Sequence, residues 1–321
     1  MEATANQAAA NQTAGTMDFG EFVTAVQGQL QARYPDCDVK TMPVEKNNDV
    51  HLTGIVILPE GENVSPNIYM EDYYREYLDG ETVEDIVSAA AQLYEQNKLQ
   101  VDFRMPDVAD FGAVKDTICF RIINRERNRE SLKAMPYRQF LDLAITYYIP
   151  VAVSHDRSGR IAVTDKISRM WQVDEETIYR HALENTRRLL PVELLPMEEV
   201  IWELLLGRNA GAGATPPRQA DSRLDIPLYI LRCAKGGQTS AAAILYDSVL
   251  REFAERNGDF YILPSSVFEV ILVPAGPGPA DSKYYCGLVR EVNQSQLPPD
   301  EVLSDNAYYY HADTGALDVL E

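Results

Sequence analysis

Histidine and cysteine are scarce in this chain, four of each in 321 residues, and there are only two tryptophans. Cys37, Cys119, Cys233 and Cys286 stand far apart, and no two form a Cys-x-x-Cys pair. That spacing excludes a zinc ribbon and a thioredoxin-type redox motif. His51, His155, His181 and His311 show no His-Glu-x-x-His or other ligand spacing, so neither a metal nor a cofactor is expected. Basic residues are also in deficit. Lys and Arg number 29 against 49 Asp and Glu, a formal charge of −20. So acidic a chain repels a phosphate backbone, which argues against nucleic acid as a partner and leaves room for a basic protein partner. No apolar run approaches the ~20 residues of a membrane helix, so no membrane partner is expected. The opening residues are rich in Ala, Asn, Gln and Thr, without the basic start and apolar stretch of a secretory signal. Residues 1–16 therefore read as a disordered tail. The cytoplasm reads as the address, where scattered cysteines stay as buried free thiols.

What is present suffices for folding. Apolar residues at 45% and charged residues at 24% place the chain among globular proteins, and its length suits one large domain or two ordinary ones. Phe19, Phe22, Val23, Val26 and Leu30 share one helical face. Strands over 39–44 and 50–58 flank Asn47-Asn48-Asp49, which is hairpin chemistry. Met70, Tyr73, Tyr74, Tyr77 and Leu78 recur at helical spacing, and Gly80 ends that helix. Thr82 caps the next one, with Val83, Ile86, Val87, Ala90 and Tyr94 as its buried stripe. Strands follow over 118–123, toward the end of 140–153, and over 160–164. Asp165 is placed to cap a short helix ending near Trp171, and Asp174 a longer one over 175–190. The stretch 207–222, with Gly-Ala-Gly-Ala-Thr-Pro-Pro inside it, is the best linker candidate. It divides an N-terminal domain, 17–206, from a C-terminal domain, 223–321. The second domain reads as a strand (226–232), a helix carrying Tyr246, Val249, Leu250 and Phe253, and the apolar run 259–273. A helix with Tyr285, Leu288, Val289 and Val292 and strands near 307–311 and 317–320 complete it. Strands joined by short turns pair antiparallel, so the class is α+β, with packed helices and two domains or subdomains.

Several segments carry a resemblance. They are Val64-Ser-Pro-Asn-Ile-Tyr69, Phe140-Leu-Asp-Leu-Ala-Ile-Thr-Tyr147, Trp171-Gln-Val-Asp-Glu-Glu176, Ile262-Leu-Pro-Ser-Ser-Val-Phe-Glu-Val-Ile-Leu272 and Val302-Leu-Ser-Asp-Asn-Ala-Tyr-Tyr-Tyr310. With them the chain resembles an uncharacterised bacterial family, a domain of unknown function found largely in intestinal Clostridia-type bacteria. The resemblance covers nearly everything from Asp18 onward and lends no activity. In that family a histidine often precedes the glutamate of the 262–272 segment. Here Phe268 stands before Glu269, so the resemblance implies that no such histidine is essential.

The run 259–273 is the most site-like stretch. Two apolar strands are broken by Pro264-Ser265-Ser266, and Glu269 falls inside the second. A carboxylate there must be paired, hydrogen-bonded or protonated. Glu269 with Ser265 and Ser266 reads either as a ligand-binding or acid/base site, or as an ion pair to an arginine such as Arg251 or Arg290 beside serines that satisfy turn amides. The structural reading is favoured. In Tyr308-Tyr309-Tyr310-His311, alternation sets Tyr309 and His311 on one face. That pair suits an interface, and a cross-strand aromatic ladder is the plainer reading. A Ser–Glu–His hydrolase from these residues lacks any Gly-x-Ser-x-Gly elbow. Lys235-Gly-Gly-Gln-Thr-Ser240 has the wrong order for a phosphate loop and reads as a tight turn. Arg121, Arg125, Arg127, Arg129, Lys133 and Arg138 interleave with Glu126 and Glu130, as on a solvated surface of local pairs. Asn185, on the apolar face of its helix, is expected to order a neighbouring loop. These features point to a non-enzymatic intracellular binding or interaction protein. A hydrolase or transferase with its site near Ser265, Ser266 and Glu269 is the alternative.

Overall fold

A computed structural model describes residues 16–62, 64–98, 106–152, 158–206, 227–235, 238–276 and 282–320. The chain is α+β and forms two compact units. The first comprises residues up to 46 and 50–102, the second residues 47–49 and 103–321. The expected boundary at 207–222 thus falls inside the second unit. The strand Val192–Pro196 before it and the strand Tyr229–Lys235 after it are neighbours in one sheet, because their apolar residues complete a single core. Residues 207–222 lie outside the described residues, as do residues 1–15 of the expected tail.

In the first unit, α1 (Phe19–Arg33) starts on a reciprocal cap. The Asp18 carboxylate accepts the Glu21 N–H at 2.8 Å while Glu21 accepts the Asp18 N–H at 3.1 Å. Its stripe Phe22, Val26 and Leu30 is fully buried. Antiparallel β1 (Cys37–Glu45), β2 (His51–Pro59) and β3 (Ile68–Tyr69) form a sheet in that order. Helices α2 (Met70–Leu78) and α3 (Val83–Asn97) follow. Gly80 at φ +117° ends α2 where a side chain would be strained, and Thr82 caps α3. Ile55, Ile57, Ile68, Met70, Ile86 and Ala90 join the α1 stripe in one core. Burying each large apolar side chain contributes roughly 1.5–3 kcal/mol.

The second unit holds two sheets. In the four-stranded one, β6 (Leu143–Ala152) pairs with β4 (Cys119–Asn124), β5 (Tyr137–Phe140) and β7 (Ser158–Ala162), all antiparallel. The strand expected toward the end of 140–153 is β6, which starts already at Leu143, while Phe140 closes β5 of the same hairpin. Leu141 and Asp142 make the turn, with Leu141 at φ +54°. A short helix, α4 (Phe111–Val114), precedes β4, and α5 (Asp165–Trp171) and α6 (Glu175–Leu189) follow β7. Thr164, not Asp165, caps α5, since its hydroxyl accepts the Ile167 N–H. Asp174 caps α6 as expected. Asn185 orders the loop before β4 by donating to the Lys115 and Ile118 carbonyls at 2.7 and 3.0 Å.

The larger sheet has the order β10 (Gln238–Ser240), β9 (Tyr229–Lys235), β12 (Val270–Pro274), β11 (Phe260–Pro264), β13 (Ala307–Tyr310), β14 (Leu317–Leu320). Strand β8 (Val192–Pro196) also pairs with β9 and leads into α7 (Met197–Leu206). The Lys235–Ser240 segment joins two strands of a hairpin; its Gly236 and Gly237 lie outside the described residues. Helix α8 (Asp247–Asn257) leads to β11, and α9 (Ser282–Ser295) lies between β12 and β13 in sequence. Strands β11 and β12 are both interior, as the apolar run implied. One face of the pair (Phe260, Ile262, Val270, Leu272) meets the main core. The other (Tyr261, Leu263, Val273) packs with Cys286 and Val289 of α9.

Candidate functional site

The β11–β12 connection carries the first group of candidates. Glu269 stands one residue before β12 rather than within it, because the turn takes up residues 265–269. Ser266 donates its N–H to the Glu269 carbonyl at 3.2 Å, and its hydroxyl accepts the Phe268 N–H at 3.1 Å. The buried Ser266 hydroxyl is thus engaged in turn-making. The Glu269 carboxylate is 27% exposed and lies 3.6 Å from the Arg232 guanidinium, not beside Arg251 or Arg290. Arg232 also binds Glu193 at 2.9 Å. Register explains the trio. Glu193 lies opposite Arg232 across β8–β9, and Val270 lies opposite Leu231, which brings Glu269 alongside. Ser265 is half-buried in the same turn.

Tyr309 and His311 sit at the other end of the sheet. Tyr309 pairs in register with Tyr261, their rings 5.0 Å apart and edge-on, and His311 stacks edge-on against Tyr309 at 4.9 Å. On the opposite face Tyr310 stacks on Phe260 at 4.8 Å. The aromatic ladder is real on both faces. Asp259 anchors this end. Its carboxylate accepts the Ala312 N–H at 2.9 Å and the Tyr309 hydroxyl at 3.0 Å, and these two bonds hold it below the usual carboxylate range. Desolvation, then Asp259, pushes the Tyr309 phenol up to about 12. His311 meets Asp318 at 2.9 Å. Phe260 pairs with Tyr310, so His311 lies near the start of β11 while Ser265 follows its end. That separates them by roughly 20 Å at ~3.3 Å per strand residue. Ser265, Ser266, Glu269 and His311 do not form one constellation.

The arginine cluster resolves only in part into local pairs, Arg129–Glu126 and Lys133–Glu130 at 2.6 Å, while Arg127 reaches Asp305 at 2.7 Å and Arg138 reaches Glu175 at 2.9 Å, both distant in sequence. Arg138 also lies over the Tyr179 ring at 4.0 Å, fastening β5 to α6. Arg125 donates to the Gln139 amide oxygen at 3.1 Å instead, and neither it nor Arg121 has a carboxylate partner among the described residues.

Sequence reasoning missed a cleft between β8 and α8. Its volume is about 600 Å³, and Val192, Leu194, Tyr229, Val249 and Phe253 supply its apolar lining. Tyr229 and Phe253 meet edge-on at 5.1 Å in its wall. Glu252, Arg256 and Asn257 add polar groups, the first two paired at 2.6 Å. The residues come from chain segments some sixty positions apart, so no local spacing marks them. Apolar alternation in β8 was the sole available signal.

No helix among the described residues is long and apolar enough to cross a membrane. All four cysteines are free. Comparison with curated proteins and with solved structures finds no match. A family model does match, over residues 19–312, and by that span the chain belongs to DUF5688, a family of unknown function.

Proposed function

We propose that this is a non-enzymatic binding protein of the bacterial cytoplasm, taking its ligand or partner segment in the cleft between β8 and α8. The cleft is the observation that carries the reading. Its volume of about 600 Å³ suits a small molecule or a few side chains, and its lining offers apolar walls and polar groups in about equal measure for a ligand to meet. The wide spacing of Ser265 and Ser266 from His311 favours binding over hydrolysis. Four free thiols, three of them buried, suit a reducing compartment. The charge of −20 favours a basic or neutral partner over nucleic acid. The resemblance to proteins of Clostridia-type bacteria supports the bacterial setting.

The test is native mass spectrometry of the protein purified from its own host, beside a Val249→Trp variant that fills the cleft. The expected result is an added mass on the parent protein that the variant lacks. An added mass retained by a folded variant, or none on either protein, would reject the cleft as the binding site.

A further inference from the structure

The four-stranded sheet turns Phe120, Ile122, Ile145, Tyr147 and Ile149 toward the main core. Strand alternation therefore gathers Cys119, Arg121, Thr146, Tyr148 and Arg160 on the opposite face. Register sets them around β6, with β4 on one side of it and β7 on the other. Arg121 lies opposite Thr146, Cys119 opposite Tyr148, and Arg160 opposite Pro150, two residues along from Tyr148.

This face is unusual for the chain. Acidic residues far outnumber basic ones, and most arginines of the neighbouring cluster have found a carboxylate. Arg121 and Arg160 have no ion-pair partner among the described residues. They lie close enough to act on one another, and both act on the Tyr148 hydroxyl. Arg160 lies over the Tyr148 ring at 5.7 Å. Burial, and then the charge of Arg160, lower the Arg121 guanidinium to about 10, with no carboxylate acting in the other direction. Beside Arg121, Thr146 is 2% exposed and its Oγ1 has no hydrogen-bond partner. Two neighbouring guanidiniums and an unused hydroxyl make an arrangement that lacks only an anion, and paired arginines are well suited to bidentate oxyanions.

We propose that this face binds a tetrahedral oxyanion of phosphate type between Arg121 and Arg160, either as the free ion or as the phosphate of a small ester. Bound there, the anion relieves the repulsion between the two guanidiniums. The net negative charge of the chain disfavours long phosphodiester polymers, which limits the ligand to a small molecule.

The test titrates the full chain with inorganic phosphate and, separately, with glucose 6-phosphate. Calorimetry and thermal melting are both read, with chloride at matched ionic strength as the control. The expected result is saturable binding and a rise in melting temperature with one or both phosphates and none with chloride. Arg121→Gln and Arg160→Gln should each weaken binding at least tenfold. A response to inorganic phosphate assigns the free ion, and a response to the ester alone assigns an esterified ligand. Arg160 is exposed, so Arg160→Gln should fold even if Arg121→Gln does not. Equal stabilisation by chloride, no binding of either phosphate, or full binding by a folded Arg160→Gln variant would overturn the proposal.

Discussion

Tyr308 donates its hydroxyl to the Asp142 carboxylate at 2.7 Å, across 166 positions of sequence. The bond joins β13 of the larger sheet to the β5–β6 turn of the smaller one. The same carboxylate accepts Ser304 Oγ at 2.6 Å and Asn306 Nδ2 at 3.2 Å. Around it, Asn124 donates to the Leu303 carbonyl at 3.0 Å, and Asn128 and Asn48 exchange reciprocal amide bonds of 2.8 and 2.7 Å. Each donor is satisfied, so this polar layer fixes how the two sheets of the second unit meet. Desolvation, then the Asp142 charge, raise the Tyr308 phenol well above its ordinary value, so it stays a donor at all physiological pH.

Tyr308→Phe removes one member of a buried pair and leaves a carboxylate short of a donor. The expected loss is about 1–3 kcal/mol in urea unfolding. Asp142→Ala strands three donors and should cost more. A double-mutant cycle should give a coupling of at least about 1 kcal/mol between them; additive effects would contradict the bond.

Glu269 is half-buried, and its contact with Arg232 is long at 3.6 Å. Glu269→Gln should therefore change stability by no more than about 1 kcal/mol. Arg232→Met leaves two adjacent carboxylates, Glu193 and Glu269, without their shared cation, so it should cost more, about 1–3 kcal/mol. Equal losses from the two substitutions would refute the shared-cation arrangement.

Leu141 holds φ +54° at the first turn position of the β5–β6 hairpin, a place that favours glycine, while its side chain packs against the main core. A β-branched residue there adds roughly 1–2 kcal/mol of backbone strain. Leu141→Val is thus expected to melt below Leu141→Gly, although it keeps more apolar surface. The opposite ranking would show that packing outweighs backbone strain at this turn.

Burial holds the Cys119 and Cys233 thiols up to about 11, above the value of 9 for an exposed thiol. Their neutral form is favoured only in the folded chain. The stability they contribute is complete below pH 9 and is lost as pH rises toward 11, because the unfolded chain ionises first. Unfolding followed from pH 8 to 10.5 should show this decline, flatter in a Cys119→Ala, Cys233→Ala double variant. At pH 8 a thiol reagent should modify half-exposed Cys37 rapidly and the two core thiols only on unfolding.

The elements that were legible share a simple cause. Helix stripes such as Phe22, Val26 and Leu30 follow a 3.6-residue period, and side-chain caps at Thr82 and Asp174 lie within three residues of the groups they satisfy. The continuous apolar run 259–273 announced interior strands because both faces of the sheet are covered. The turn at Leu141–Asp142 was hidden because a leucine occupies the position where glycine or asparagine would have signalled it.

The candidate site was less legible for a different reason. Ser266 and Phe268 satisfy each other locally, and that much could be read from a Pro-Ser-Ser turn. The choice of Arg232 over Arg251 or Arg290 for Glu269 depends on the register of β8, β9 and β12, which no local pattern contains.

By itself, then, the sequence determined the acidic, α+β character of the chain, the helix stripes with the Thr82 and Asp174 caps, the β1–β2 hairpin and the interior placing of β11 and β12. Those are settled by charge count, periodicity and hydrogen bonds spanning a few residues. Tertiary structure alone decided that β8 and β9 share a sheet across 207–222, that Asp142 receives Tyr308, that β8 and α8 enclose a cleft, and that Arg121 and Arg160 share a face. Each of these is a meeting of distant segments, fixed by strand register and by the need to bury apolar surface and pair polar groups at once.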